Sequence, residues 1–239
     1  DMLSATGLVD AYAESIANGV NVQVAVAGAT IANSTVDSIA NAYGARGGSG
    51  DDALSVNEID VEAKAEADSV LVAVNILGAT LTSTGIFTTP SAVGLVGDDG
   101  NDTLSLGSGE VDASASSFGL DIAVTGVGAG VADSLFTSNS SATGLSGGNG
   151  NDSIALAGAL DVSSLVDLES VAVRPTLVGA GLGGVELEST STATGASGGS
   201  GADGLLLGGD SVLAVDSDIT SNTVAVDVNL AGYLNPTTT

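Results

Sequence analysis

The chain contains no cysteine, no histidine and no tryptophan, and only three basic residues, Arg46, Lys64 and Arg174, among 239. Without Cys or His there is no thiolate nucleophile, no Ser-His-Asp relay, no haem ligand and no ordinary zinc site. Three cations cannot neutralise a phosphate backbone, which argues against nucleic acid as a partner. The same shortage makes an anionic membrane surface repulsive, and no apolar run approaches the ~18 residues of a membrane span. The lack of Cys argues against a disulfide framework and leaves secretion open. Aromatics are scarce as well, three Tyr and three Phe.

What the chain has instead is acid, glycine and aliphatic side chains. Twenty-nine Asp and Glu give a formal net charge of −26, Gly numbers 35, and 44% of residues are hydrophobic. Hard cations such as Ca²⁺, which take carboxylate and carbonyl oxygens, suit such a composition. Its rows of Val, Leu and Ile exceed what a disordered acidic tail offers.

A repeat of about fifty residues runs the whole length. Gly47-Gly48-Ser49-Gly50-Asp51-Asp52-Ala53-Leu54 recurs as Gly97-Asp98-Asp99-Gly100-Asn101-Asp102-Thr103-Leu104, then as Gly147-Gly148-Asn149-Gly150-Asn151-Asp152-Ser153-Ile154. The last copy is Gly198-Gly199-Ser200-Gly201-Ala202-Asp203-Gly204-Leu205, so the steps are 50, 50 and 51 residues. A second marker, Gly28-Ala29, Gly78-Ala79, Gly128-Ala129 and Gly179-Ala180, keeps the same beat. The repeat divides the chain into units 1–46, 47–96, 97–146, 147–197 and 198–239, read as one repetitive array.

Before each Gly-Ala stands an alternating apolar run, such as Val20-Val22-Val24-Val26 and Val70-Val72-Val74-Ile76. Period-two alternation of β-branched residues reads as strand with one face buried, and no helical period competes. Earlier in each unit, Ile59-Val61-Ala63-Ala65 and Val111-Ala113-Ala115 alternate with the opposite parity. Both sets are expected to face inward, so a bend or bulge must sit near Asp68-Ser69. The Ala-rich face implies close approach of opposing walls. In-register units that cannot bury their faces alone stack as solenoid coils, about 4.8 Å apart. The expected fold is therefore all-β, a parallel β-solenoid with one wide coil per repeat.

The chain opens inside a motif, since Asp1-Met2-Leu3-Ser4 matches Asp102-Thr103-Leu104-Ser105, and no signal-like segment precedes it. Neither end shows a polar capping unit. The expectation is about five consecutive units of a longer array, or a subunit whose ends are covered by neighbours.

The pattern Gly-Gly-x-Gly-x-Asp-x-(apolar)-x resembles the nonapeptide of the RTX, or haemolysin-type calcium-binding, proteins. Glycines permit positive φ, which lets consecutive carbonyls point at one ion, while the sixth-position Asp supplies a charged oxygen. In that family ions sit between the turns of successive coils. The resemblance therefore implies a Ca²⁺ column along one edge, linking Asp52, Asp102, Asp152 and Asp203. Gly48, Gly50, Asp51, Asp99, Asn101, Gly148, Gly150, Asn151, Gly199 and Gly201 would complete it. The likeness covers about ten residues in each fifty, unlike the tandem nonapeptides of 18-residue coils usual in the family. Asp98 replaces a motif glycine and Ala202 an Asp or Asn, which makes the fourth site the weakest. A glycine turn with a solvated or capping Asp would give the same residues.

Asp10, Asp60, Glu110 and Asp161 form a second in-phase acidic series, read as a solvated outer edge that blocks lateral aggregation. Triplets such as Asn139-Ser140-Ser141 match the glycosylation pattern but arise by chance in so Ser-rich a chain.

RTX proteins are typically exported and fold on meeting external calcium, which this acidity suits. The resulting expectation is a non-catalytic structural region of a secreted, extracellular bacterial filament or cell-surface adhesin. Its partners would be itself, end to end or laterally, flanking repeats and surface glycans. An alternative is a carbohydrate-active β-helix enzyme using a carboxylate pair. Another is an ice- or carbohydrate-binding solenoid presenting Thr80, Thr82 and Thr84, although the matching Gly130, Ala132 and Ser134 do not keep threonine.

Overall fold

A computed structural model describes residues 1–238, and side chains as far as Ala231. The chain is a parallel β-solenoid. Three long strands, β1 (Met2–Ser49), β2 (Ala53–Asp99) and β3 (Thr103–Asn149), each make one full coil. The fourth coil is split into β4 (Ser153–Leu156) and β5 (Ala159–Ser200), and the fifth into β6 (Gly204–Leu207), β7 (Val212–Asn229) and β8 (Gly232–Thr238). From Leu8↔Glu58 onward β1 pairs with β2 at an offset of 50 residues, and β2 with β3 likewise. One repeat is one coil. The 51-residue step comes from one extra residue between Leu156 and Leu160, because Leu106 pairs with Leu156 while Gly109 pairs with Leu160.

Each coil is a flattened loop with two walls. One wall runs from the motif to the Gly-Ala turn, where Gly28, Gly78, Gly128 and Gly179 take φ between 101° and 139°. The other wall returns to the next motif. At Gly78, Gly128 and Gly179 a methyl group would overlap the carbonyl oxygen of the glycine one coil earlier. Stacking and backbone hand thus both demand glycine here.

Near the motif the core is aliphatic. Leu54, Val56, Ile59, Val61, Ala63 and Ala65 pack with their stacked equivalents against Ala42, Ala92, Ala142, Leu95 and Leu145 of the return wall. The walls do come close: a methyl on Gly94 would lie 2.7 Å from Ile59 Cδ1, and one on Gly144 2.7 Å from Leu160 Cδ2. A smaller cluster around Ile86, Phe136, Val166, Leu168 and Val185 fills the middle.

The inward parity differs from the sequence expectation in one respect. It switches once, between Val56 and Ile59, and then holds through Leu71, Ala73 and Asn75 to the Gly-Ala turn. The register jumps between Ala5 and Leu8, the equivalent place in the first coil, and no shift occurs near Asp68-Ser69. Val70, Val72, Val74 and Ile76 therefore face outward, and their inward neighbours are Ser69, Leu71, Ala73 and Asn75. Alternation reveals which residues share a face but not which face is inside.

The half of the coil nearest the Gly-Ala turn is consequently polar within. Thr80, Thr82, Thr84 and Thr88 are buried, as are Ser117, Thr125 and Ser138. Thr88, Ser117 and Ser138 bond one another at 2.6–3.2 Å. The threonines considered for an ice face thus point into the solenoid.

This parity makes a direct prediction. Leu71→Ala should destabilise the fold by about 2–5 kcal/mol, as buried leucine truncations do. Val72→Ala, one residue on, should cost less than about 1 kcal/mol. Urea unfolding midpoints of the two variants check this, and the reverse order would restore the inward-valine arrangement.

Candidate functional site

The four glycine motifs stack in register at the edge opposite the Gly-Ala turn. Gly48 pairs with Asp98, Asp98 with Gly148 and Gly148 with Gly199. That column takes φ of 98°, 78°, 103° and 91°, and the column of Gly50, Gly100, Gly150 and Gly201 takes 112–142°. Gly47, Gly97, Gly147 and Gly198 are glycine for another reason. A methyl on any of them would collide with Oδ2 of the Asp five residues later: Asp52, Asp102, Asp152 or Asp203.

Two hydrogen-bond ladders tie these turns together, running in opposite senses. In one, the Asp carboxylate accepts from the previous coil. Asp102 Oδ1 accepts the Asp52 N–H at 2.8 Å, Asp152 Oδ1 the Asp102 N–H at 2.8 Å, and Asp203 Oδ1 the Asp152 N–H at 3.0 Å. The Asp1 ammonium takes the equivalent place 2.8 Å from Asp52 Oδ1. In the other ladder the preceding residue accepts from the next coil. Asp51 Oδ1 accepts the Asn101 N–H, Asn101 Oδ1 the Asn151 N–H, and Asn151 Oδ1 the Ala202 N–H, at 2.8–2.9 Å. Ala202 needs only a backbone N–H to end that ladder. Asp99 accepts from the Asn149 side-chain amide at 2.7 Å, outside both ladders.

The first ladder uses only one oxygen of each carboxylate. Oδ2 of Asp52, Asp102 and Asp152 is buried with no hydrogen-bond partner, and these residues are 4%, 1% and 3% exposed. Burial pushes the Asp102 carboxyl above its ordinary range; the Asp52 N–H opposes the shift, and the charges of Asp152, Asp52 and Asp51 add to it. Stacked buried carboxylates are stabilised by protonation, by hydrogen-bond donors or by cations between them, and here the donors reach only Oδ1. Hard cations match an orphaned carboxylate oxygen. Among the described residues no three acidic side chains converge on one point, so the rest of a shell would come from backbone carbonyls. Asp203, in the last motif, is exposed.

Asp98, the non-glycine in the φ-positive column, is held by Arg46. The guanidinium grips both carboxylate oxygens, Nη2 donating to Oδ1 at 2.9 Å, and lies over the Tyr43 ring 5.6 Å from its centroid. The Arg46 hydrogen bond holds the Asp98 carboxyl below its ordinary range. Asp10, Asp60, Glu110 and Asp161 form one column on the exposed outer face. Glu110 is pushed up chiefly by its hydrogen bond with Asp112.

Charged groups lie inside the solenoid where the sequence pattern does not mark them. Arg174 is 1% exposed inside the solenoid. Its Nε lies 2.9 Å from Asp227 Oδ1, an ion pair by distance without hydrogen-bond alignment, and Nη1 donates to the Ala132 carbonyl at 3.3 Å. A methyl on Gly183 would overlap both Nη1 and the stacked Ala132 carbonyl oxygen, so that glycine leaves room for the guanidinium and for the neighbouring coil's backbone. Asp121 is buried nearby, its Oδ2 accepting from Thr82 at 3.1 Å and Ser134 at 3.3 Å. The signal in the sequence was a register match, Arg174 with Asp227 one coil on.

Comparison with protein-family models, with curated proteins and with solved structures gave no match.

Burial raises the Asp121 carboxyl to about 6, against the opposing bonds from Thr82 and Ser134 and the charge of Arg174. A carboxyl whose folded value lies above its unfolded 3.8 binds more protons in the native state. Its contribution to stability is therefore highest at or below pH ~4 and falls as pH climbs to ~6. Asp121→Asn should flatten this part of the profile. Unfolding midpoints measured from pH 4 to 7 would show the wild-type and variant curves converging at the acid end. Parallel curves would contradict the assignment.

Proposed function

We propose that the chain is a calcium-stabilised structural segment of an extracellular bacterial filament or surface adhesin, with no catalytic role. The observation that carries this reading is the column of buried, half-satisfied Asp carboxylates at the stacked glycine turns. Three consecutive coils each hold a carboxylate oxygen without a partner, in a protein of net charge −26. Ca²⁺ bound between turns would supply the missing positive charge, with Asp52, Asp102 and Asp152 as its charged ligands and turn carbonyls as the neutral ones. Binding that exists only in the stacked state adds directly to the stability of the fold. In calcium-poor surroundings the same carboxylates repel and favour the expanded chain.

A scaffold role fits the rest of the molecule. Column after column repeats with little change, and the described stack leaves a strand edge open at both ends. Leu3 and Leu8 are exposed on the first coil, Leu205 and Leu207 on the last. A further coil, from the same chain or another copy, would continue both the backbone ladder and the aspartate ladder. Such end-to-end growth is the filament reading.

Asp102→Asn separates metal binding from simple turn capping, because the amide oxygen still accepts the Asp52 N–H. Without calcium the variant should melt higher than wild type, since a buried charge and its repulsions are gone. With millimolar calcium it should melt lower, since a ligand is gone. Far-UV circular dichroism melts in Ca²⁺, Mg²⁺ and EGTA give the comparison. An order of melting that ignores calcium, with the β spectrum unchanged in EGTA, would leave the turns held by hydrogen bonds alone.

A further inference from the structure

The largest feature left unexplained is on the outside of the solenoid. Because the parity never reverses near Asp68-Ser69, Val20, Val22, Val24 and Val26 point outward from the first coil. The same four positions recur in register at alternate residues of 70–76, 120–126, 171–177 and 224–230. This is a grid of four columns by five rows, and none of its twenty positions carries a polar side chain. Thirteen are valine, and the rest are Ile, Leu, one proline (Pro175) and one glycine (Gly126). Val20 and Val24 are 74% and 71% exposed on the first coil and Leu230 72% on the last. The central rows are shielded only by the ladder itself.

We propose that this valine face is a docking surface for a second copy of the same chain, the two solenoids pairing wall to wall along their stacks. The face is large enough. Four columns of alternate residues span about 26 Å and five coils about 24 Å, giving about 600 Å² on each copy. Two such faces bury about 1,200 Å², the lower bound of a stable specific interface. That is the upper end of what a soluble monomer leaves bare, and each added coil extends it.

The occupant follows from period and charge. The rows repeat at the coil spacing, and a surface with matching rows is the same face of another copy. Side chains of one valine ladder then seat between those of the other, as when two sheets pack in a sandwich. The rims agree with this. On the side away from the Gly-Ala turn the bordering column is Asn18, Asp68, Phe118, Glu169 and Asn222, polar or acidic at every coil but the middle one, while Leu77, Val127 and Val178, all exposed, border the grid at the turn. A two-fold axis parallel to the stack places the rim that carries Asp68 and Glu169 against the apolar rim of its partner, so that the acids of the two copies are kept apart. The two-fold along the strands would set Asp68 of each copy against Glu169 of the other. The parallel pair is isologous and closed, so it stops at two.

This inference rests on the solenoid fold and its parity, not on calcium. Sedimentation velocity and small-angle scattering of the full chain over a wide concentration range test it, in Ca²⁺ and in EGTA, with circular dichroism in every arm. The folded wild type should form a dimer of doubled cross-section and unchanged length. Val72→Glu with Val173→Glu should weaken self-association at least tenfold with the β spectrum kept. Val72→Thr with Ile122→Thr and Val173→Thr keeps β-branched side chains and should shift the equilibrium the same way, and it decides the matter if the glutamate variant loses its fold. A folded wild type that stays monomeric, a dimer that grows in length, or variants that associate like wild type would each overturn the proposal. Loss of calcium response with the dimer intact would count against the metal column alone.

Discussion

In-register stacking governs this molecule. Once each coil lies directly on the one before, every side chain has its counterpart in the next coil for a neighbour, about 4.8 Å away along the hydrogen-bond direction. Like therefore meets like. For valine, leucine and alanine this is favourable, and the core between Leu54 and Ala65 is built of such ladders. For carboxylates it is costly unless the charge is removed, capped or bridged. The aspartate column at the glycine turns is the place where the fold accepts that cost. It offsets part of the cost by making each carboxylate cap a backbone N–H of the coil before.

The same constraint explains where glycine stands. At Gly78, Gly128 and Gly179 the backbone is left-handed and the neighbouring glycine carbonyl occupies the space a side chain would need. At Gly97 and Gly147 the backbone is not left-handed, yet glycine is still required, because the aspartate of the same turn folds back over it and the glycine carbonyl of the next coil fills the space beside it. At Gly183 the space is taken both by the buried Arg174 guanidinium and by the stacked Ala132 carbonyl. A stacked carbonyl of a neighbouring coil is common to all of these positions, and only the first group adds the conformational freedom usually credited to glycine.

Much of the architecture was legible because the repeat carries it. The fifty-residue beat fixes coil length, and the motif copies fix which residues stack, so Asp10, Asp60, Glu110 and Asp161 fall in one exposed column as their spacing implied. The sidedness of the valine runs was not legible. A parallel sheet with apolar residues on both faces gives no amphipathic contrast to read. Here the inward set (Ser69, Leu71, Ala73, Asn75) is more polar than the outward one. The parity switch lies at Asn57-Glu58, between Val56 and Ile59, and not at Asp68-Ser69. Arg174 was hidden for the opposite reason, since an isolated cation in an acidic chain reads as a surface residue until its register partner Asp227 is known.

Along one wall the outer surface divides sharply. Residues near the motif carry the acidic column and its neighbours Glu62 and Asp112, while residues near the Gly-Ala turn carry the valine grid. Apolar area drives faces together without regard to number of partners, whereas surplus like charge opposes close packing of many copies. Placed on one strand, the two set a limit on each other. The grid provides a single face for contact, and the acid beside it keeps the remainder of the wall solvated. On the proposed pairing the solenoid gains thickness once, because the acid beside the grid opposes a further copy on the same wall.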